Sequence, residues 1–294
     1  MTSLLRTVKS RLFIRSRRHA FHQLDGQYSS RTRGRGSDFD DLREYAAGDD
    51  VRDIDWKATA RSATTLLRRY HPERQHSVTF LVDTGRQFSA VSGSGERKSA
   101  LAIATIGSLA YLVARHGDDV GMFFLGAAAI ERIAPGRSDS HLERMLRAVE
   151  RGSAAAAPSS QFPAVLARAA GALRRRGIVV CVSDEGALSA DAVEALRALR
   201  SRHDVLWLGI GDTALVNRGV SAAGVVDVDS GWRVPAFLLG DRAVREASAE
   251  ARARQRAANA SVLHGLGIPN TVIDSEAAVL PALISTIGRG SSRG

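Results

Sequence analysis

The pattern of apolar and polar positions changes character near residue 77. Beyond it, short apolar runs alternate with longer amphipathic stretches. The runs 78–85 (VTFLVDTG), 178–186 (IVVCVSDEG) and 204–212 (DVLWLGIGD) are rich in β-branched residues and end in an acid or a glycine. Apolar runs of this length without polar alternation predict strands buried on both faces, with the central ones at 78–83, 178–183 and 204–210. Residues 119–126 and 128–134 predict two more strands about a glycine turn, 225–234 a hairpin around Asp229–Gly231, and 268–274 a last strand. Between them lie helical patterns. The stretch from Glu96 is apolar on nearly all sides and stops at Gly117, and residues 138–152 carry Ser140 and Glu143 at capping-box spacing. Further helices are predicted for 162–177, ending at Gly177, for 189–202, with Val193, Leu196 and Leu199 on one face, and for 241–265, with Arg242–Glu246 and Glu250–Arg254 four residues apart. A closing helix from Glu276 contains Pro281. This alternation predicts an α/β domain over 77–290, a mostly parallel sheet with helices on both faces.

The first 76 residues follow other rules. Leu4, Leu5, Val8, Leu12 and Phe13 fall at helical spacing among Arg6, Lys9, Arg11 and Arg15, which predicts a basic amphipathic helix in an arm spanning 1–25. The plain reading is a helix lying on its own domain, ahead of docking on an acidic partner or an anionic lipid surface. Residues 26–36 (GQYSSRTRGRG) read as a loop, and TTLLRRYHPERQ as an extended segment interrupted by Pro72. Between these, 34–61 (GRGSDFDDLREYAAGDDVRDIDWKATAR) packs Asp38, Asp40, Asp41, Glu44, Asp49, Asp50, Asp53 and Asp55 against Arg35, Arg43, Arg52, Lys57 and Arg61, with Phe39, Leu42, Tyr45, Val51, Ile54 and Trp56 interleaved. A disordered tail would lack those apolar anchors. Asp38 is expected to cap a short helix through Tyr45, Gly48 to end it, and Ile54 and Trp56 to be buried. The segment 26–76 is therefore read first as a clasp of mutually paired charges on the main domain, in which Asp55→Ala or Arg61→Ala would destabilise. The second reading is a recognition surface for another protein, through Asp38, Arg43, Asp49, Asp50 and Arg52.

Composition narrows the setting. An apolar content of 44% over 294 residues is ample for a core, and the single Cys181 cannot form an internal disulfide and reads as a buried small hydrophobe. No apolar run approaches the ~20 residues of a membrane span, and the N-terminus lacks a signal-peptide pattern, so the expected location is the cytoplasm. The net charge of +10 is uneven: residues 1–36 hold nine Lys/Arg and one acid, while the remainder is nearly balanced. The high pI thus describes an arm. Nucleic-acid or anionic-surface binding by that arm is an alternative function, which predicts steep salt dependence and loss of binding on deleting residues 1–36.

Catalytic motifs are sparse. GSGERKS (93–99) has Arg97 where a phosphate-binding loop needs Gly before the lysine, and it reads as the start of a helix. There is no GxGxxG, no GxSxG and no His-x-x-x-His. His116 and His203 fall at helix C-termini, where a cation is favoured. Asp83 and Asp184 both end buried strands, where open α/β sheets bind ligands, and two carboxylates there suit a hard cation held by oxygens. The plain alternative is that they accept hydrogen bonds from loop amides or pair with arginines of the 34–61 segment.

The run SDFDDLREYAAGDDVRDIDWKATAR, with the GRG before it and the strand ending in LVDTG after it, resembles the bacterial "domain of unknown function fifty-eight" family. The resemblance implies a von Willebrand factor A-like (Rossmann-type) sheet with an N-terminal signature appendage, and association with a MoxR-type AAA+ ATPase. In von Willebrand factor A domains the metal motif is Asp-x-Ser-x-Ser, with a Thr and a second Asp from later loops. Here it reads Asp83-Thr84-Gly85-Arg86-Gln87, so Gly85 and Gln87 replace two hydroxyls and Arg86 adds a positive charge. Ser159 or Ser160 would stand for the Thr, and Asp184 for the second Asp. The expectation is a degenerate site at Asp83, Asp184 and Ser160 that binds no cofactor, Mg²⁺ being the ion that a complete shell would take. Arg86 and Gln87 then become partner-facing residues without a core role. The function expected is a non-enzymatic interaction module. Its enzymatic alternative is a metal-dependent hydrolase using Asp83, Asp184 and Asp49 or Asp50.

Overall fold

In the computed structural model, the apolar runs at 78, 178 and 204 lie side by side at the centre of one sheet. The structure describes residues 3–13, 18–33, 42–46, 51, 54–62, 64–68, 76–212, 225–226, 228, 233–234 and 241–291. In chain order the elements are α1 (Leu4–Leu12), α2 (Arg18–Arg33), β1 (Leu42–Glu44), α3 (Trp56–Thr59), β2 (Leu66–Arg68), β3 (Ser77–Val82), α4 (Lys98–Arg115), β4 (Asp119–Leu125), β5 (Ile130–Gly136), α5 (Asp139–Gly152), α6 (Phe162–Ala172), β6 (Ile178–Ser183), α7 (Ala190–Arg200), β7 (Asp204–Ile210), β8 (Val225–Val226), β9 (Arg233–Val234), α8 (Arg242–Gly265), β10 (Asn270–Ile273) and α9 (Val279–Ser291). The main sheet has the order β10-β7-β6-β3-β4-β5. Its neighbours are parallel, except that β5 returns antiparallel to β4 through a tight connection. Counted from β3, this is the doubly wound α/β order, whose reversal point lies beside β3.

Burial on both faces accounts for the unbroken apolar runs. Val78, Phe80 and Val82 of β3, with Val180, Val182, Leu206 and Leu208 of the next two strands, face a core closed by α1, α2, α4, α5 and α9. Leu81, Val179, Cys181, Val205 and Trp207 face the opposite core under α6, α7 and Leu263 of α8. Cys181 is fully buried, and burial pushes its thiol pKa up, as expected of a small hydrophobe. Gly117, at φ 81°, ends α4 in the left-handed region that glycine adopts without penalty.

The N-terminal arm is part of this body. Leu5, Val8 and Leu12 of α1 are buried in the first core, and each such side chain contributes about 1.5–3 kcal/mol on leaving water. The start of α1 is held by a residue from another helix. Glu143 of α5 accepts from Ser3 Oγ (2.8 Å), Leu4 N (3.0 Å) and Leu5 N (2.8 Å). Burial acts to raise the Glu143 pKa, but these bonds and that from Arg147 outweigh it and hold the carboxyl below its ordinary value. The capping box expected within 140–143 is therefore not formed. Ser138 caps α5 by accepting from His141 N, and Glu143 serves α1 instead.

Several boundaries also differ from expectation. Residues 26–33 are helix, not loop, because α2 is anchored by buried Phe21, Leu24 and Tyr28, and Tyr28 Oη donates to Asp118 at 2.8 Å. A division at residue 25 therefore falls inside a helix. The helix expected to run to Gly177 ends at Ala172. Residues 42–44 form a strand paired antiparallel with 66–68, where a short helix through Tyr45 was expected; Asp38 and Gly48, its supposed caps, lie outside the described residues. His203 is buried and its pKa is lowered by desolvation, so it sits near α7 as a neutral group and not as a helix-end cation.

Candidate functional site

The carboxyl ends of β3, β6, β7 and β10 carry a row of acids: Asp83, Asp184 with Glu185, Asp212 and Asp274. Asp83 is 3% exposed. It accepts from Gln87 Nε2 (3.0 Å) and Ser160 Oγ (2.5 Å) on one oxygen, and from Ser183 Oγ (2.8 Å) on the other. Burial first, and the charge of Asp184 second, raise its pKa to about 7, while the Ser160 and Ser183 bonds and the nearby Lys98 act in the opposite direction. Asp184 accepts from Gly186 N at 2.9 Å, so the loop-amide reading holds for it. Among the described residues neither acid pairs with an arginine of the signature. Of the two candidate serines, Ser160 reaches Asp83, and its hydroxyl also accepts from Phe162 N.

The residue that sequence reasoning missed is Lys98, the first residue of α4. It is 1% exposed, and its Nζ lies 2.6 Å from Asp212 Oδ1 and 3.6 Å from Asp184 Oδ2, with the Phe88 ring centroid at 5.6 Å. Local context disfavours a cation there, since the positive end of the α4 dipole points the same way. That conflict is the sequence signal that could have found it. A second cation, Arg256 of α8, pairs with Glu185 (2.7 Å) and Asp274 (2.9 Å). Thr84 donates to Leu125 O at 2.7 Å and so ties β3 to β4.

The departures at 85 and 87 are linked. A Cβ added to Gly85 would lie 2.3 Å from Gln87 Oε1 and 3.1 Å from Ser160 N. Gly85 has an extended backbone (φ 164°), so space, not conformation, calls for glycine. A serine at 85 would require the Gln87 amide to shift from its present place. Gln87 is 4% exposed and holds Asp83, which corrects the expectation that it faces a partner. Arg86 is half-buried. A divalent ion of the Mg²⁺ type needs an oxygen shell at close range. Here an ammonium lies among the acids, and an amide fills the place of a hydroxyl, so these residues do not fit such an ion.

The signature layer is built differently. Ile54 bridges to Leu67, both are buried, and neither belongs to the two sheet cores. Asp55, 6% exposed, caps α3 by accepting from Lys57 N and Ala58 N, each at 3.0 Å. Trp56, which follows this cap, faces outward at 68% exposure, and Val51 and Tyr45 of the same segment are exposed as well. The expected burial of Trp56 is thus wrong. Its place at the first position of a one-turn helix lets the Asp55 carboxylate take the interior instead. Arg61 is exposed, and among the described residues it is no member of a buried pair. Asp38, Asp49, Asp50 and Arg52 lie outside the described residues, as does the side chain of Arg43.

No helix among the described residues is long and apolar enough to cross a membrane. Compared with known families, residues 41–258 match the model described as "Protein of unknown function DUF58". The chain is 31% identical over 256 residues to the uncharacterized protein Rv1480 of Mycobacterium tuberculosis, and equally to the uncharacterized protein Mb1516 of Mycobacterium bovis. Each alignment covers 84% of this chain and 77% of the relative. Among solved structures it is similar to an aerotolerance-related membrane protein from Bacteroides fragilis (TM-score 0.43, 14% identity, 73% of this chain and 99% of that one). A von Willebrand factor type A protein from Catenulispora acidiphila is also similar (TM-score 0.40, 10% identity, 74% and 43%), as is the SpRpn10 VWA domain (TM-score 0.40, 13% identity, 73% and 97%).

Proposed function

The chain belongs to the DUF58 family, and from that premise we propose that it is a non-enzymatic protein-interaction module, working in the cytoplasm, whose partner is a MoxR-type AAA+ ATPase. The observation that carries the reading is Trp56. A tryptophan left 68% in water on a helix fixed by a buried cap has no role in its own core. Tryptophans are enriched among the residues that dominate binding energy at protein interfaces. Val51 and Tyr45 of the same segment are also exposed. The partner itself is suggested by the likeness of the signature to ATPase-associated proteins. The strand-end acids are engaged by Lys98, Arg256 and neighbouring hydroxyls, which gives them partners within the fold beside any binding role of the signature layer.

The test is a titration of the full chain against the MoxR-type ATPase encoded nearest to it. We expect Trp56→Ala to weaken binding at least about tenfold, as for an interface hot spot, and Arg86→Glu to act mainly on the association rate. Binding that both substitutions leave intact would move the interface elsewhere, and absence of binding by the unaltered chain would end the ATPase-partner reading.

A further inference from the structure

The strand-end acids and Lys98 together suggest why the metal motif is broken at two places and yet the architecture around it persists. We infer that the Lys98 ammonium is a tethered substitute for a divalent cation, joining the carboxyl ends of β6 and β7 to the start of α4 in a metal-independent centre.

Four observations converge. The Nζ lies between Asp212 (2.6 Å) and Asp184 (3.6 Å), carboxylates from two different strand ends. At 1% exposure the lysine is withdrawn from water, which is tolerated only when carboxylates compensate it. Its position at the head of α4 opposes the helix dipole, so the acids, not the helix, hold it there. Finally, a side chain at position 85 would meet the Gln87 amide, so restoring that hydroxyl of the motif would shift the amide that now holds Asp83. One ammonium carries one positive charge fewer than a divalent ion. This inference does not depend on the interaction reading, since its test measures folding and ion binding alone.

Lys98→Ser tests it, because it removes the ammonium, opens its volume and returns a hydroxyl. The unaltered protein should melt at the same temperature in chelator and in millimolar Mn²⁺. Lys98→Ser in chelator should melt lower, by on the order of 10 °C. Millimolar Mn²⁺ should restore roughly half of that loss, and adding Asp184→Asn should abolish the restoration. Saturable Mn²⁺ binding to the unaltered protein, lost in Asp83→Asn, would overturn the inference. So would a Lys98→Ser protein that melts like the unaltered one in chelator, or one that gains nothing from Mn²⁺. Recovery of no folded Lys98→Ser from refolding either with or without Mn²⁺ counts as that last result.

Discussion

The carboxyl edge of the sheet and the signature layer are both dense in acids and bases, yet they use them in opposite ways. At the sheet edge the charges turn inward: Lys98 and Asp83 are buried, and the cations meet acids from strands distant in the chain. In the signature layer one acid, Asp55, turns inward to cap a helix, and an aromatic residue turns outward. A strand-end acid cluster is thus an occupied structural centre, while a stretch that reads as a charge clasp offers a tryptophan to solvent. Charge density alone separates neither role. What separates them is whether each polar group finds a partner before it meets water.

The contrast can be broken most severely at Lys98. Lys98→Met keeps most of the volume but leaves Asp184 and Asp212 without their cation, and denaturant unfolding should show a loss of about 3–5 kcal/mol. Next in size is a pH effect at Asp83. Its pKa is raised in the fold, so its favourable contribution is complete below the ordinary carboxyl value of 3.8 and is lost as pH rises through about 7. The stability of Asp83→Asn relative to the unaltered protein should therefore be greater at pH 8 than at pH 5, by roughly 2–3 kcal/mol in denaturant titrations at the two pH values. A pH-independent difference would mean that Asp83 titrates normally.

The signature layer should respond more weakly. Asp55→Ala removes the cap of α3 and should cost about 1 kcal/mol, with faster amide exchange at Lys57 and Ala58. Smallest of all, Trp56→Ala and Arg61→Ala should each change stability by no more than about 0.5 kcal/mol, as for surface residues. A tryptophan substitution that unfolds the protein would return the layer to the clasp reading and erase the contrast.

The sheet was legible in the sequence because a strand buried on both faces needs an unbroken apolar run. Val78–Val82, Ile178–Val182 and Val205–Ile210 carry that requirement in their own residues. The apolar α4, the amphipathic α1 and the pairs Arg242–Glu246 and Glu250–Arg254 were legible for similar reasons, through periodicity or short spacing. What the tertiary structure decided is the destination of polar groups. Glu143 could have capped its own helix but lies where α1 begins, about 140 residues earlier in the chain. Lys98 reads as an ordinary helix-start residue until the loop after β7, 114 residues on, brings Asp212 to its ammonium. Trp56 reads as core until the Asp55 carboxylate claims the interior beside it. An apolar side chain seeks burial wherever the chain places it, so its pattern is local. A charged one is stable inside or outside according to a partner that only the folded chain supplies.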